Sequence, residues 1–397
     1  RCFTHPIMPR EEKLKIAVLI KRFITTGGAE RYALEITRRL ALQHEVHVFA
    51  QEWAFQGTEN ILFHKIPKFL PKPSWLNQIL FSYLSRKAAG NSFDIVHSHE
   101  KVTQFDVMTI HSPCFLSSIT QETRWWKRIL AWSSVAFSPR KLAWLWLENK
   151  QFTSGIRKKL FVAVSENVKK DVQANYPLSD AYFHIAYPGA SRNMGSTVHD
   201  ATDLRNARAK LGISKEDLVF LFVGTEFKRK GLDALLNGFA LIPHSRAKLV
   251  VAGGGGGRIK RYMQLAKKLG LSEHVVFLGL VGNVEELYAI SDAMILPTLS
   301  DPWAMAPVEA MLFGLPAAMS SSEYCGAAEH VRGGEALIIR NPRDPREIAE
   351  TLSKLMDQDL RAQLGRKGHA LAEELTWDRT TASTLSAYRE LLRRKRL

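Results

Sequence analysis

The stretch KIAVLIKRFITTGGAERYALEITRRLALQ, residues 15–43, decides the fold class. Its first six residues, KIAVLI, form a continuous apolar run that predicts a buried strand, and the run after the two glycines predicts a helix. A strand without polar alternation is typical of a parallel sheet that is covered by helices on both faces. This unit therefore predicts an α/β protein.

The same alternation continues along both halves of the chain. Further strand candidates are EVHVFAQ, ILFHKI, DIVHSH, VMTIHS and LFVAVS, and then LVFLFVG, KLVVAG, HVVFLG, AMILPT, PAAMSS and EALIIR. In the second half, helices are expected at about 231–242, 258–270, 284–291, 307–314 and 345–355. A polar stretch near 190–206 reads as a linker. We expect two doubly wound, Rossmann-like domains, over residues 1–195 and 196–375, and a C-terminal helix over 376–397 that packs back on the N-terminal domain.

The composition is that of a globular protein with an excess of cations. The chain has 397 residues, and 55 Lys and Arg against 39 Asp and Glu give a formal net charge of +16. This excess suits an anionic substrate, an anionic membrane surface or nucleic acid. Three scattered cysteines favour a reducing compartment. The absence of a signal peptide and of a long apolar run predicts a cytoplasmic protein without a membrane span.

Two strand-end loops carry residues that suit a phosphate. TTGGAER, residues 25–31, lies between a strand and a helix, where glycines let the backbone approach a diphosphate and the helix presents free N–H groups. VGTEFKRKGLD places Lys228, Arg229 and Lys230 just beyond a strand, at the edge where open α/β sheets bind ligands. Each loop also has an alternative interpretation without a ligand. The glycines of TTGGAER can serve only the strand-to-helix turn, and the cations of VGTEFKRKGLD can belong to a solvated surface turn. GGGGG at 253–257 favours a turn, because no Gly-Lys-Ser/Thr follows it.

Two acids stand in the stretch SDPWAMAPVEAMLFGLP, residues 300–316. Pro302 biases Asp301 toward an extended conformation, so Asp301 belongs to a loop. Pro307 fits the first position of a helix, which would place Glu309 in the first helical turn. The helix dipole alone would explain Glu309. The alternative is that both carboxylates accept hydrogen bonds from ligand hydroxyls at the same sheet edge as the cations, which is what a sugar nucleotide requires.

Taken together, the motifs GGAER, HSHE, TIHS, GTEFKRKG and SDPWAMAPVEAMLFGLP resemble those of the retaining GT-B glycosyltransferases, a large family that includes sucrose and lipopolysaccharide sugar transferases. FKRKG and CGAAEHV bring the resemblance nearest to its lipopolysaccharide-core branch. The resemblance implies two Rossmann-like domains that face a cleft. It also implies transfer of a hexose, with retention and without a metal or cofactor, from a nucleotide-diphosphate sugar such as UDP-glucose. The implied acceptor is a lipid-linked or envelope glycan.

The resemblance assigns the donor diphosphate to four residues. Gly28, with Gly27 beside it, matches the glycine whose amide meets the diphosphate, and Arg229 and Lys230 match the basic pair that binds phosphate. The commoner form of the family has an arginine where this chain has Thr225.

The resemblance also gives roles to residues that contact sugar and ribose. Asp301 matches the acid that touches the transferred sugar, with Asp in place of the usual Glu, and Glu309 matches the acid that binds the ribose. His111 matches a histidine near the transferred sugar, and His99 is an acceptor-side candidate. Ala304 stands where the family often has glycine.

The segment 121–170 is aromatic and basic. Five of the nine tryptophans fall within 121–150, and eleven Lys and Arg against three acids give 121–170 a net charge of +8. Tryptophan with cations suits peripheral contact with the inner face of an anionic membrane, whereas the plainer reading is tryptophan packed into the domain. Two further alternatives stay open, a sugar-nucleotide epimerase and a non-catalytic basic protein that binds membrane or nucleic acid. No nucleic-acid motif is evident, so no nucleic-acid partner is expected.

Overall fold

The computed structural model describes residues 13–54, 60–70, 72–120, 124–190, 201–243, 245–255 and 257–396. These residues form two compact units. The first comprises the described residues up to 162, Asp171–His184 and the described residues from 381 onward. The second comprises Ala163–Lys170 and the described part of Ile185–Thr380. The expected domain boundary at residue 195 lies outside the described residues.

The chain up to residue 185 contains nine strands and six helices in its described part. In order they are β1 (Lys15–Leu19), β2 (Arg22–Phe23), α1 (Gly28–Ala41), β3 (Glu45–Ala50), β4 (Glu52–Trp53), β5 (Ile61–Lys65), α2 (Ser74–Ala89), β6 (Ile95–Ser98), β7 (Val107–Ile110), α3 (Ser117–Thr120), α4 (Trp125–Ala136), α5 (Pro139–Thr153), β8 (Leu160–Ala163), α6 (Glu166–Asn175) and β9 (Phe183–Ile185).

The described residues after 200 continue with six strands and eight helices. In order they are α7 (Ala201–Lys210), β10 (Leu218–Val223), α8 (Leu232–Phe239), β11 (Ala247–Ala252), α9 (Gly257–Lys268), β12 (Val275–Gly279), α10 (Glu285–Ile290), β13 (Ala293–Leu296), α11 (Met305–Leu312), β14 (Ala317–Ser320), β15 (Leu337–Ile339), α12 (Pro345–Lys354), α13 (Gln358–Glu374) and α14 (Trp377–Arg396).

The first unit is built on a seven-stranded sheet with the order β5-β3-β1-β6-β7-β8-β9. The pairings of β1 with β3 and β6, of β3 with β5 and of β6 with β7 are parallel. Residues 16–19 of β1 are all fully buried, because helices cover both faces of a parallel sheet and leave no polar alternation. The strand order reverses between β1 and β6, so the loops after these two strands diverge and leave a crevice.

The second unit repeats this architecture with a six-stranded sheet of order β12-β11-β10-β13-β14-β15, and all five pairings are parallel. Phe220, Leu221 and Phe222 of β10 are fully buried at its centre. The order reverses between β10 and β13, which makes the loops after these strands the expected ligand edge. The predicted fold class, an α/β protein with parallel sheets in two domains, is confirmed.

The predicted start of one helix is wrong. α11 begins at Met305, not at Pro307, so Pro307 is its third residue and Glu309 lies in the second turn. The first four N–H groups of a helix have no partner within it, so proline is tolerated anywhere in the first turn and does not mark its first residue. The helix starts from Ala304, which adopts a left-handed conformation with φ of 65°.

The glycines after β11 allow two strand ends to approach each other closely. Gly253 has φ of 109°, and a Cβ at this position would lie 2.2 Å from the carbonyl oxygen of Gly224, which follows β10. Only glycine avoids that clash. Gly256 of the GGGGG run lies outside the described residues, so the turn expected for this run stays a prediction. In the described part of the chain, no helix is long and apolar enough to cross a membrane.

Candidate functional site

The second unit brings the predicted cations and one predicted acid together. The Lys230 ammonium donates a hydrogen bond to the Asp301 carboxylate, and the nearest Arg229 nitrogen lies 3.9 Å from the same carboxylate oxygen. The Arg229 guanidinium also pairs with Glu226 and donates to the carbonyl oxygen of Ser300 at 2.6 Å. A loop after β10 and a loop after β13 therefore meet at the point where the strand order reverses.

A glycine fixes the position of the two cations. Gly231, the residue before α8, has φ of 79°, and a Cβ there would lie 1.9 Å from the carbonyl oxygen of Pro297. The Leu299 N–H donates to the carbonyl oxygen of Arg229 at 2.8 Å. The basic loop thus lies against the loop that follows β13, because residue 231 carries no side chain.

The backbone around Asp301 is held by Tyr324 and by the segment CGAAEHV that follows it. The Asp301 N–H donates to the Tyr324 carbonyl oxygen at 2.7 Å, and the Asp301 carbonyl oxygen accepts from the Gly326 N–H at 3.0 Å. A Cβ at Gly326 would lie 2.0 Å from the carbonyl oxygen of Pro302. The Asp301 carboxylate also accepts the N–H of Ala304 at 3.0 Å. The acid is therefore fixed in its backbone as well as in its ion pair.

Glu309 is the second acid of this unit and lies half-buried on α11. Its carboxylate accepts a hydrogen bond from the Tyr288 hydroxyl at 3.0 Å. The Tyr288 hydroxyl therefore helps to orient this carboxylate.

The first unit brings His99 and His111 together after β6 and β7. Their rings lie within hydrogen-bonding distance, with 3.0 Å between His99 Nδ1 and His111 Nε2, and the Tyr32 ring packs against both. Burial lowers the pKa of His111 to about 3 and lowers the pKa of His99 well below its usual value. Both imidazoles are therefore neutral at physiological pH, and each offers polar nitrogens without adding charge.

His97 lies on β6, and protein hydroxyl groups contact both of its ring nitrogens. Its Nδ1 lies 2.7 Å from the Tyr388 hydroxyl of α14, and its Nε2 lies 2.8 Å from the Thr109 hydroxyl. Burial lowers the pKa of His97 to about 3, so it stays neutral. Both nitrogens are occupied by protein groups, which makes His97 a packing residue between the sheet and α14.

A cavity of about 690 Å³ opens beside these histidines within the first unit. Such a volume is usual for a small-molecule site. Its walls combine the strand-end loops with helix α5 and the start of α1, and they include neutral, cationic and apolar groups. Among the lining residues are Lys21, Ala29, His99, Glu100, Lys101, His111, Ser138, Arg140, Lys141, Trp144 and Glu148.

The loop after His111 is held by a buried carboxylate of α5. Glu148 is 1% exposed and accepts the N–H groups of Phe115 at 2.5 Å and Leu116 at 3.0 Å. The Tyr176 hydroxyl donates to the same carboxylate at 3.2 Å. One helix therefore lines the cavity and also fixes the loop that carries its histidine.

The predicted glycines lie at the start of α1. Gly27 precedes the helix with φ of 100°, and no side chain caps the helix there. Gly28 is its first residue, so N–H groups at this end have no partner within the helix. Ala29, the next residue, lines the cavity.

Sequence reasoning missed several residues that line or support these sites. Lys21 and Lys101 lie one and two residues after predicted strands. This position at the edge of the sheet could have identified both lysines from the sequence. Trp144, Glu148 and Tyr288 lie within helices, and no local pattern marks which side of a helix meets a cavity. Across the ranges given above, no three His, Cys, Asp or Glu side chains are grouped so as to hold a metal ion.

The tryptophans of the aromatic and basic segment lie on α4 and α5, and most of them are exposed. Trp125 is 72% exposed and Phe137 is 88% exposed, and Trp126, Trp132 and Trp146 are exposed as well. Trp144 lines the cavity instead, with the Lys101 ammonium 5.4 Å from its ring centre. The tryptophans do not share one buried environment.

Two parallel, doubly wound sheets, each with polar groups at its strand-order reversal, are the architecture of the GT-B class of enzyme. The family "Glycosyltransferase Family 4" matches residues 26–192, and "Glycosyl transferases group 1" matches residues 203–370. The chain therefore belongs to the glycosyltransferases of the GT-B class, as its motifs predicted.

Individual relatives support this membership. The lipopolysaccharide glucosyltransferase WaaG of Escherichia coli is 23% identical over 348 residues, which cover 86% of this chain and 90% of WaaG. The crystal structure of WaaG has a TM-score of 0.78 to this chain at 22% identity, over 94% of this chain and 98% of that one. Anabaena HepE, in complex with UDP-glucose, has a TM-score of 0.70 at 19% identity, over 94% and 99% of the two chains.

Proposed function

We propose that this enzyme transfers a hexose, with retention of anomeric configuration, from a nucleotide-diphosphate sugar to a lipid-linked or envelope glycan similar to the lipopolysaccharide core. The observation that carries the proposal is the joint placement of Lys230, Arg229 and Asp301 where the second sheet reverses its strand order. Cations suit a diphosphate, and a carboxylate suits sugar hydroxyls. UDP-glucose is the first donor to test, because HepE was crystallised with it.

In the proposed donor site each group has a separate task. Arg229 and Lys230 bind the diphosphate and stabilise the charge that develops as it leaves, while Asp301 accepts hydroxyl hydrogen bonds from the hexose. Glu309 accepts the ribose hydroxyls, and the Tyr288 hydroxyl orients its carboxylate. Before the donor binds, the ion pair holds the Lys230 ammonium and the Asp301 carboxylate in place. When the donor binds, its phosphate oxygens take over part of the contact that the ammonium makes with Asp301.

The proposed reaction needs no residue as nucleophile. The bond between the sugar C1 and the diphosphate oxygen breaks, and the acceptor oxygen bonds to C1 on the same face. The acceptor hydroxyl proton passes to the departing diphosphate, so the products are the glycoside and a nucleoside diphosphate. We propose that the cations of the protein stabilise the leaving group and that no metal or cofactor is needed. Activity that survives an excess of EDTA would agree with this, and its loss would contradict it.

The cavity of the first unit is the proposed acceptor site. It is bordered by His111 and His99, whose neutral rings can donate to or accept from sugar hydroxyls. Trp144 gives one wall an aromatic face on which a sugar ring can stack.

We also propose that α4 and α5 bind the cytoplasmic face of an anionic membrane. The exposure of Trp125, Trp126 and Trp132 supports this over tryptophan packed into the domain. Serine in place of these three tryptophans should weaken co-sedimentation with phosphatidylglycerol vesicles, whereas unchanged binding would contradict the proposal.

A thermal-shift panel tests the donor proposal. UDP-, GDP- and ADP-sugars are each added to the full chain, because a ligand that binds the folded state raises its apparent stability. A shift with one nucleotide series, lost in Asp301→Ala, is expected. A flat response to all three series would contradict the proposed function. Radiolabelled donor that is converted without any transfer product would favour epimerisation.

A further inference from the structure

The cavity of the first unit contains an excess of positive charge. Four cationic side chains and two carboxylates line it. Lys21 pairs with Glu100 at 3.4 Å, and Lys101 pairs with Glu148 at 3.5 Å. Each carboxylate therefore has its own cation, and both histidines are neutral.

The two remaining cations are Arg140 and Lys141, in the first turn of α5. The Lys141 ammonium donates to the Ser134 hydroxyl at 2.6 Å, which leaves its charge uncompensated. Within the part of the chain that the structure describes, no carboxylate forms an ion pair with either residue. The cavity thus has two cations without a protein counter-ion.

The position of these cations on the helix is electrostatically unfavourable. The N-terminus of α5 carries a partial positive charge, and helices usually place acids there. The Ser138 hydroxyl accepts the Lys141 N–H at 3.4 Å. The first turn of α5 has no acid, and Ser138, the residue before the helix, lines the cavity with Arg140 and Lys141. An anion in the cavity would offset the repulsion between the helix end and the two cations.

One residue that lines the cavity has a buried polar atom without a hydrogen-bond partner. His99 is nine-tenths buried, and its Nε2 has no hydrogen-bond partner among the described groups. A buried polar group without a partner is costly, so a ligand group that bonds it is favoured. The lining of the cavity therefore combines cationic side chains, a neutral imidazole and the aromatic ring of Trp144.

We propose that Arg140, Lys141 and the start of α5 bind a phosphate group of the acceptor, so that this cavity selects phosphorylated saccharides over neutral ones. Arginine can fork onto two phosphate oxygens, while lysine adds a point charge. The inference rests on the proposed function, since it takes the cavity as the acceptor site. The phosphate belongs either to the saccharide or to a lipid headgroup beside it, and the test separates these sources.

The test measures binding of glucose 6-phosphate and of glucose to the full chain by titration calorimetry, with UDP at saturation to fill the donor phosphate site. The variant is Arg140→Gln/Lys141→Gln. Its matched control is Lys150→Gln/Lys158→Gln, which removes the same charge from exposed residues that do not line the cavity. We expect glucose 6-phosphate to bind about 10- to 100-fold more weakly to the variant than to the wild type or the control.

Vesicles of phosphatidylglycerol form the second arm, without sugar phosphate. If glucose 6-phosphate does not bind but vesicle binding falls only in Arg140→Gln/Lys141→Gln, the phosphate site stands with a lipid headgroup as its source, and the selection of phosphorylated saccharides is overturned. The inference is overturned if glucose 6-phosphate binds equally well to the wild type and to Arg140→Gln/Lys141→Gln. It is also overturned if glucose 6-phosphate does not bind and both double variants lose vesicle binding to the same extent. Failure of UDP to bind the wild type contradicts the proposed function instead, which keeps the two failures distinct.

Discussion

Replacing Lys230 by methionine removes the cation that pairs with the Asp301 carboxylate. The two side chains are only 14% and 9% exposed, so the carboxylate would keep its charge with little access to water. Removing one partner of a buried pair costs about 3–5 kcal/mol, and we expect the lower end because Asp301 retains the Ala304 N–H.

Arg229 does not compensate for the loss. Its nearest nitrogen lies 3.9 Å from the carboxylate, and its side chain is 38% exposed, so solvent screening limits its contribution to about 0–1 kcal/mol. Lys230→Met is therefore expected to cost roughly 3 kcal/mol of unfolding free energy. Arg229→Met should cost about 1 kcal/mol or less.

Urea unfolding, followed by tryptophan fluorescence, measures these differences as shifts of the midpoint at constant slope. Lys228→Met is the matched control, because Lys228 is an exposed neighbour in the same loop. The double variant Lys230→Met/Asp301→Asn removes the isolated charge and should recover much of the loss, which is a coupling between neighbouring sites. The reasoning is refuted if Lys230→Met and Lys228→Met cost the same, or if the double variant loses the sum of its single changes.

Three other changes test the two units. Gly326→Ala places a Cβ 2.0 Å from a backbone oxygen, so it should lower the free energy of unfolding in urea by about 1–3 kcal/mol. It should also abolish sugar transfer, because the clash moves Asp301. An active, stable variant would contradict this. Glu148→Gln should cost about 1–3 kcal/mol and raise the acceptor KM with donor affinity unchanged, whereas an unchanged KM would show that the His111 loop needs no such anchor. Burial lowers the pKa of Lys159 from 10.5 to about 8. Between these two pH values the Lys159 amine is protonated in the unfolded chain and neutral in the folded chain. The free energy of unfolding therefore rises with pH across that window. Lys159→Met should remove that rise from the urea midpoints measured at pH 7.5 and 10.5, and an identical pH dependence in the variant would contradict the assignment.

Local pattern predicted the strands and the order of the elements. Continuous apolar runs such as KIAVLI predicted buried parallel strands, and each of the expected helices of the second half is present within a few residues. Helix ends were less certain. Pro307 suggested a helix start two residues too late, because proline is compatible with every position of the first turn.

The candidate residues of the second unit could be chosen from the sequence because the ends of its strands can be predicted from the sequence. Parallel strands deliver their following loops to one edge of the sheet, so Arg229, Lys230 and Asp301 were expected near one another before any coordinates. The cavity of the first unit could not be foreseen in this way. Trp144 and Glu148 reach it from the middle of a helix, and their neighbours in the chain face solvent or the core.

The sequence by itself determined the fold class, the two-domain organisation and the loops that carry charge, since all of these follow from periodicity and position along the chain. Only the tertiary structure decided which charges are compensated. Lys230 finds Asp301 from a distant loop, while Arg140 and Lys141 face a cavity without a counter-ion, and both outcomes depend on distances between segments that are remote in sequence. Electrostatic interactions weaken with distance and strengthen with burial, so identical residue types become a fixed pair in one place and a proposed anion site in another.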